Sequence, residues 1–242
     1  MKLLKWILIV LPVLAILATV GYLYLYNHGM SGKAPEVAPP ADGQIKVACV
    51  GDSTTYGHGI KDWEKNNYPV QLQNLLGNSY HVRSFGVSGR AVQDNSDQPY
   101  TALEIYSQSM EYDADIVVFM MGTNDSKPEN WHGGEAFKAS LCSLLDSYGD
   151  ARIILCTPAT AFWLKGETEG VTNFDIQPPV VAEIAGIVRE VAAERGDLLV
   201  DIHELTGKNP RWFESDGVHP NNEGAAAIAQ LLYETITGMQ AE

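Results

Sequence analysis

Ser53, Asp216 and His219 are the residues whose types and spacing could do chemistry together. Ser53 ends "VACVGDS" at 47–53, an apolar run that turns polar at Gly51-Asp52-Ser53. A serine at the tip of a buried strand has its hydroxyl at the sheet edge. It stays a weak nucleophile until a base takes its proton and a third group orients that base. "SDGVHPN" at 215–221 holds such a pair, Asp216 and His219, three residues apart in a tight turn before the last helix. His219 would accept the Ser53 proton while Asp216 fixed the imidazole tautomer. The plainer readings are a strand-to-helix turn at Ser53 and a turn-capping Asp216 beside a surface histidine.

Acyl transfer also needs donors where an oxyanion develops, each worth ~3–4 kcal/mol of barrier when well placed. Gly89 in "GVSGR" (86–90) leaves its N–H open to a substrate because it has no side chain. Asn124 in "MMGTND" (120–125) offers a side-chain amide. Ordinary turn chemistry accounts for either segment taken alone.

The elements that must position these groups are legible as an alternation. Apolar, β-branched runs at 46–50, 81–85, 116–121, 152–156 and 198–201 read as strands. Helical patterns at 68–76, 101–112, 135–148, 180–195 and 223–236 lie between and after them. The last would bury Ala225, Ile228, Ala229, Leu232 and Ile236. Such alternation with continuously apolar strands means an α/β fold, a parallel sheet covered on both faces. Ligands in these sheets bind beyond the strands' carboxyl ends, where Ser53, the Gly122-Thr123-Asn124 turn and Thr157 fall.

Together the segments resemble a family, the SGNH hydrolases or GDSL-type esterases. The blocks are Gly51-Asp52-Ser53, Gly86-Val87-Ser88-Gly89, Gly122-Thr123-Asn124-Asp125 and Asp216-Gly217-Val218-His219-Pro220, all in order between about 46 and 237. The resemblance implies Ser53 as nucleophile, His219 as base and Asp216 as its orienter. The Ser53 and Gly89 N–H groups and the Asn124 amide would form the oxyanion hole. It implies a three-layer α/β/α sandwich on a flavodoxin-like five-stranded sheet of order 2-1-3-4-5. In that order the strands carrying Cys49 and Cys156 are separated by a third, ~9–10 Å apart and beyond disulfide reach. Free thiols are therefore expected. Two positions depart from the family pattern: Thr54 stands where leucine is usual, and Ser84 where an asparagine often opens the second block. Ser53 lies in no G-x-S-x-G elbow, and "HELTG" at 203–207 is not H-E-x-x-H, so neither a metal nor a cofactor is expected.

Substrate choice falls to the loops beyond the strand ends. Tyr56, Trp63, Trp131 and Trp163 are candidates for the substrate rim, with His58, His132, Phe162 and Phe174 nearby. They would stack on sugar rings or line an acyl groove, or else pack the loops onto the core. "GTNDSKPENW" at 122–131 is similar to secreted bacterial carbohydrate esterases of the family, which implies removal of acetyl groups from an extracellular or cell-wall glycan. A lysophospholipase or thioesterase, an O-acyltransferase and a non-catalytic glycan-binding module are the alternatives.

The N-terminus reads differently. Lys2 and Lys5 precede an uncharged stretch from 6 to 26, whose 21 residues would span ~31 Å as a helix. Trp6 at one end and Tyr22, Tyr24 and Tyr26 at the other suit the two membrane interfaces. An uncleaved anchor with a cytoplasmic N-terminus and an outside domain is expected, against a cleaved signal peptide with secretion. "NHGMSGKAPEVAPPADG" at 27–43 reads as a tether, and 44–242 as the hydrolase domain. With a net charge of −14 and a pI near 4.7, the chain is no nucleic-acid partner. Oligomeric state has no signature.

Overall fold

The computed structural model describes residues 2–30, 37–164 and 173–239, with side chains from Val10 onward in the first segment. The expectations for Lys2, Lys5, Trp6 and residues 31–36 therefore lie outside the described side chains.

Five parallel strands form one sheet in the order β2-β1-β3-β4-β5: β1 (Ile45–Gly51), β2 (Tyr80–Gly86), β3 (Ile116–Met120), β4 (Arg152–Cys156) and β5 (Leu198–Val200). This is the three-layer α/β fold expected from the sequence. Strand side chains alternate between two cores. Val47, Cys49, Val118, Met120, Ile154 and Cys156 face one layer, α4 (Tyr68–Leu76) and α9 (Asn222–Gly238). Ala48, Val50, Val117, Phe119, Ile153 and Leu155 face the other, α6 (Gly134–Asp146) and α7 (Pro178–Arg195), with α5 (Glu104–Glu111) alongside. Every residue of β3 is buried, as a central strand covered on both faces requires. The three cysteines are free, with Cys49 and Cys156 on strands separated by β3.

Two elements differ from the sequence expectation. The helix at 101–112 breaks at Leu103, which is extended (φ −99°, ψ 147°). A single 3-10 turn, Tyr100–Ala102, precedes it, held by the buried Tyr100 hydroxyl donating to Phe85 O at 2.8 Å. Asp201 leaves the sheet to cap a short helix, α8 (Ile202–Gly207), accepting from Glu204 N at 3.0 Å.

At the carboxyl edge, α2 (Ser53–Tyr56) lies directly on the ends of β1 and β2. Gly51 and Gly86 pair in register beneath it. A Cβ on Gly51 would stand 1.9 Å from Thr55 Oγ1, and one on Gly86 would stand 2.4 Å from Tyr56 N. Glycine at both places lets the helix descend onto the sheet.

The N-terminal helix α1 (Lys2–Asn27) contains Val10–Asn27, an 18-residue segment of mean hydropathy 1.6 that is long and apolar enough to cross a membrane. Leu11, Ile16, Leu17 and Val20 are each about 60 % exposed, so the other described residues do not cover it. Its polar end touches the domain: His28 O accepts from Gly59 N at 2.8 Å, and Tyr26 stands edge-on to Trp63. Beyond 31–36, Ala38 O accepts from His81 Nε2 at 2.7 Å. The stretch expected to be a tether is thus held at both described ends.

The glycine contact separates two identical substitutions by sign. Gly86→Ala meets backbone and should cost about 2–3 kcal/mol, lowering Tm by roughly 5–10 °C. Gly186→Ala in α7 meets nothing within 4 Å and should raise stability by about 0.5–1 kcal/mol. Thermal unfolding followed by circular dichroism distinguishes them; equal shifts would refute the close-approach account.

Candidate active site

Ser53 opens α2, whose first turn is capped by the Asp52 carboxylate accepting from Thr54 N at 3.0 Å. At its other end Gly57 is left-handed (φ 88°), and the Gly57 and His58 N–H groups donate to Ser53 O at 2.9 and 3.0 Å. Both ends of the helix are fixed, so the serine is presented on a rigid turn.

His219 and Asp216 arrive from the turn before α9. Asp216 Oδ1 accepts from Val218 N at 2.8 Å and His219 N at 2.9 Å, folding the turn around its own side chain. Its Oδ2 lies 2.7 Å from His219 Nδ1, and His219 Nε2 lies 2.9 Å from Ser53 Oγ. Burial pushes the Asp216 carboxyl up, but the His219 bond and the two backbone N–H groups override it and hold the group below the ordinary carboxylate range. An ionised carboxylate only accepts, so His219 Nδ1 carries the proton and Nε2 is left to accept from the serine hydroxyl. Ser53 and His219 are nearly enclosed, at 7 % and 5 % exposure. The arrangement can move a proton from Ser53 to a histidine of defined tautomer.

A second imidazole stands close by. His58 lies 4.5 Å from His219 between ring centroids. Burial, and then the neighbouring His219, push its pKa down to about 4, so it is neutral at pH 7.

Gly89 and Asn124 line the same cleft, of about 210 Å³, as Ser53 and His219. Gly89 is left-handed (φ 81°), and a Cβ there would stand 3.5 Å from Gln98 Oε1. Asn124 Nδ2 donates to Arg90 O at 3.1 Å, which fixes the amide beside Gly89. Thr123 and Ser88 complete the polar wall, and Ile176, Val218 and Phe174 the apolar one. Lys127 is the only lysine or arginine lining it among the described residues.

Three residues that the sequence reading did not single out hold this wall in place. Asp125, fully buried, accepts from Val92 N at 2.9 Å and Gln93 N at 2.8 Å. Asn130 donates to Asn124 O and Asp97 Oδ1, and accepts from Asp97 N. Gln93 donates to Asn130 O at 2.8 Å. These bonds bolt the loop carrying Gly89 to the segment carrying Asn124. The signal available was Asp125 beside Asn124 after a buried strand; nothing in the sequence marks Gln93 or Asn130.

The aromatic candidates divide differently from expectation. Tyr56 and Trp63 are core residues at 6 % and 1 % exposure, tied together by Trp63 Nε1 donating to Tyr56 O. Burying the large rings outweighs any rim role, and the indole N–H finds its acceptor inside. Trp131 packs against Phe137, and neither it nor the half-buried Trp163 lines the cleft. Phe174 does, half-exposed and 5.3 Å from the His219 ring, with a left-handed backbone (φ 65°) that a bulky residue adopts only under strain.

Residues 49–227 match the GDSL-like Lipase/Acylhydrolase family. An acetylxylan esterase of Xylanibacter ruminicola is 33 % identical over 222 residues, covering 83 % of this chain and 45 % of that protein. The chain thus spans less than half the length of that relative. A carbohydrate acetylesterase family member from Sinorhizobium meliloti aligns with a TM-score of 0.67 at 19 % identity, covering 82 % of this chain and all of that one. The M. smegmatis aryl esterase aligns at 0.65 and 16 % identity, covering 80 % and 99 %. At these identities the two structures speak for the fold.

Asp125 gives a pH signature. Burial pushes its pKa up to about 7 despite the two N–H donors. A carboxyl raised in the folded state contributes most below its unfolded value, ~4, and its contribution is lost as pH rises through 7. The Tm difference between wild type and Asp125→Asn should therefore change in the direction of relative wild-type loss from pH 4 to 7.5. A difference independent of pH would refute this.

Proposed function

Because the chain belongs to the GDSL-like Lipase/Acylhydrolase family, we propose that it is a carboxylic ester hydrolase with Ser53 as its nucleophile, His219 as its general base and Asp216 as the orienter of that base. The observation that carries this is the unbroken run from the Asp216 carboxylate through both nitrogens of His219 to Ser53 Oγ, at 2.7 and 2.9 Å.

Ser53 Oγ attacks the ester carbonyl as its proton passes to His219 Nε2. The resulting imidazolium sits against the Asp216 carboxylate, which stays ionised and needs no proton of its own. The oxyanion is received by the Ser53 N–H, the Gly89 N–H and Asn124 Nδ2. The first has no acceptor within its own helix, being in the first turn. His219 returns the proton to the leaving alcohol. A water, deprotonated by His219, then releases the carboxylic acid and restores Ser53.

The substrate we assign is a short-chain ester, an acetyl group on a carbohydrate. The cleft's ~210 Å³ lies below the 300–1,000 Å³ usual for larger ligands. The 33 % identical relative is named for acetylxylan, and that supports a glycan without fixing which one. We place the domain outside the cell, with α1 retained in the membrane and its N-terminus in the cytoplasm.

Nitrophenyl esters of increasing chain length test this. Acetate should be preferred, Ser53→Ala should lose at least ~10⁴-fold in kcat, and Asn124→Ala about 10²–10³-fold. Optimal turnover of chains of eight carbons or more would replace the acetyl assignment with a lipid or thioester one. Undiminished turnover by Ser53→Ala would end the serine mechanism.

A further inference from the structure

The end of the apolar helix α1 is built into the hydrolase domain at the loop that closes the nucleophile's own helix. His28 O accepts from Gly59 N at 2.8 Å, and the adjacent His58 N donates to Ser53 O at 3.0 Å. Two hydrogen bonds and one residue thus separate His28 O from the Ser53 carbonyl, a path of about 10 Å. The contact is close-packed. Gly29 is buried and left-handed (φ 62°), and a Cβ there would stand 2.2 Å from Gly57 O and 2.6 Å from Trp63 Cδ1. The Tyr26 hydroxyl donates to Glu64, and its ring meets Trp63 edge-on at 5.9 Å. Trp63 is itself fully buried. Residues 26–29 therefore form a joint with 57–64.

We infer that this joint fixes the catalytic cleft at the membrane surface, and that the enzyme's substrate is an acetylated glycan carried on a membrane lipid. The inference rests on the acetylesterase reading for the bond that is broken. The Ser53 carbonyl is about 10 Å along this path from the end of the span, little more than the ~6 Å of headgroup layer beyond the hydrocarbon on each side. An ester on a lipid-borne sugar is presented at that height. The charge points the same way. Residues 44–242 hold 13 Lys and Arg against 28 Asp and Glu, and a domain so acidic is repelled by anionic headgroups. On a loose tether it would stand away from the bilayer; the joint holds it there.

The experiment uses the full chain in phosphatidylcholine vesicles. Acetate release is measured from an acetylated sugar linked to a dialkyl lipid in the same vesicles, and from its soluble methyl glycoside. A second protein carries twelve Gly/Ser residues inserted between Asn27 and His28, a coil of roughly 19 Å. Wild type should favour the lipid-borne ester over the soluble one by at least about fivefold more than the insertion protein does, with soluble turnover alike in both. Equal preference in the two proteins overturns the inference while leaving the esterase intact. Absence of Ser53-dependent release from both esters would instead remove the acetylesterase reading, and the inferred substrate with it. The joint is read separately, without substrate: Gly29→Val should lower the domain's Tm by about 3–8 °C, and an unchanged Tm means that the joint is not formed.

Discussion

The contact of α2 with the paired glycines at the ends of β1 and β2 is the constraint on which the site depends. Gly51 and Gly86 sit opposite each other in the ladder, and any side chain on either would collide with the turn above. With both glycines in place, Ser53 leaves the strand and enters a helix within two residues. Its hydroxyl is then positioned by the sheet itself. The loop that follows, Gly57–His58, closes on Ser53 O and brings a neutral imidazole to the flank of His219. Preorganisation of this kind lets a few hydrogen bonds act on a reacting group without first being assembled.

Three carboxylates surround that centre, Asp52 and Asp125 buried and Asp216 partly so, and their environments separate their behaviour. Asp216 is desolvated, yet the His219 ring and two backbone donors more than compensate, so it stays charged. Asp125 also receives two backbone N–H groups, but burial dominates and the neighbouring Asp52 adds to it. Asp52 lies between them: burial raises it to about 6, while the Thr54 N–H and then His219 pull it back. The carboxylate in contact with the His219 ring is the one kept ionised. The other two act by position, Asp52 capping α2 and Asp125 pinning the Gly89 loop.

The fold was legible because its signals are periodic. Strands buried on both faces, such as Ile116–Met120, must be continuously apolar, and amphipathic helices repeat every 3.6 residues. The four short blocks were legible because glycines and a Ser, Asn, Asp and His stand at strand ends in order. The walls between the blocks were not. An aromatic residue in a loop has the same identity whether it faces solvent or core, so Tyr56 and Trp63 gave no sign that they pack inward. The Trp63 indole finds its acceptor, Tyr56 O, seven residues earlier, through a turn that propensity does not specify. Gln93 and Asn130 act through bonds across 37 residues. Phe174 lines the cleft with its backbone in a left-handed conformation that its type disfavours.

The same limit explains the N-terminal junction. Gly29 in "NHGMSGK" has the composition of a linker, and composition is what a sequence reading has to work with there. In the folded chain that glycine is needed for a different reason: it ends α1 in the left-handed region and lets the backbone touch Gly57. A flexible tether gains nothing from a glycine that is buried against an indole. The tyrosines near the helix end divide accordingly. Tyr22 and Tyr24 stay exposed, as residues at a membrane interface would, while Tyr26 turns to the domain through Glu64 and Trp63. One aromatic cluster thus faces two ways, and the boundary between the apolar helix and the domain runs through the packing of a single side chain.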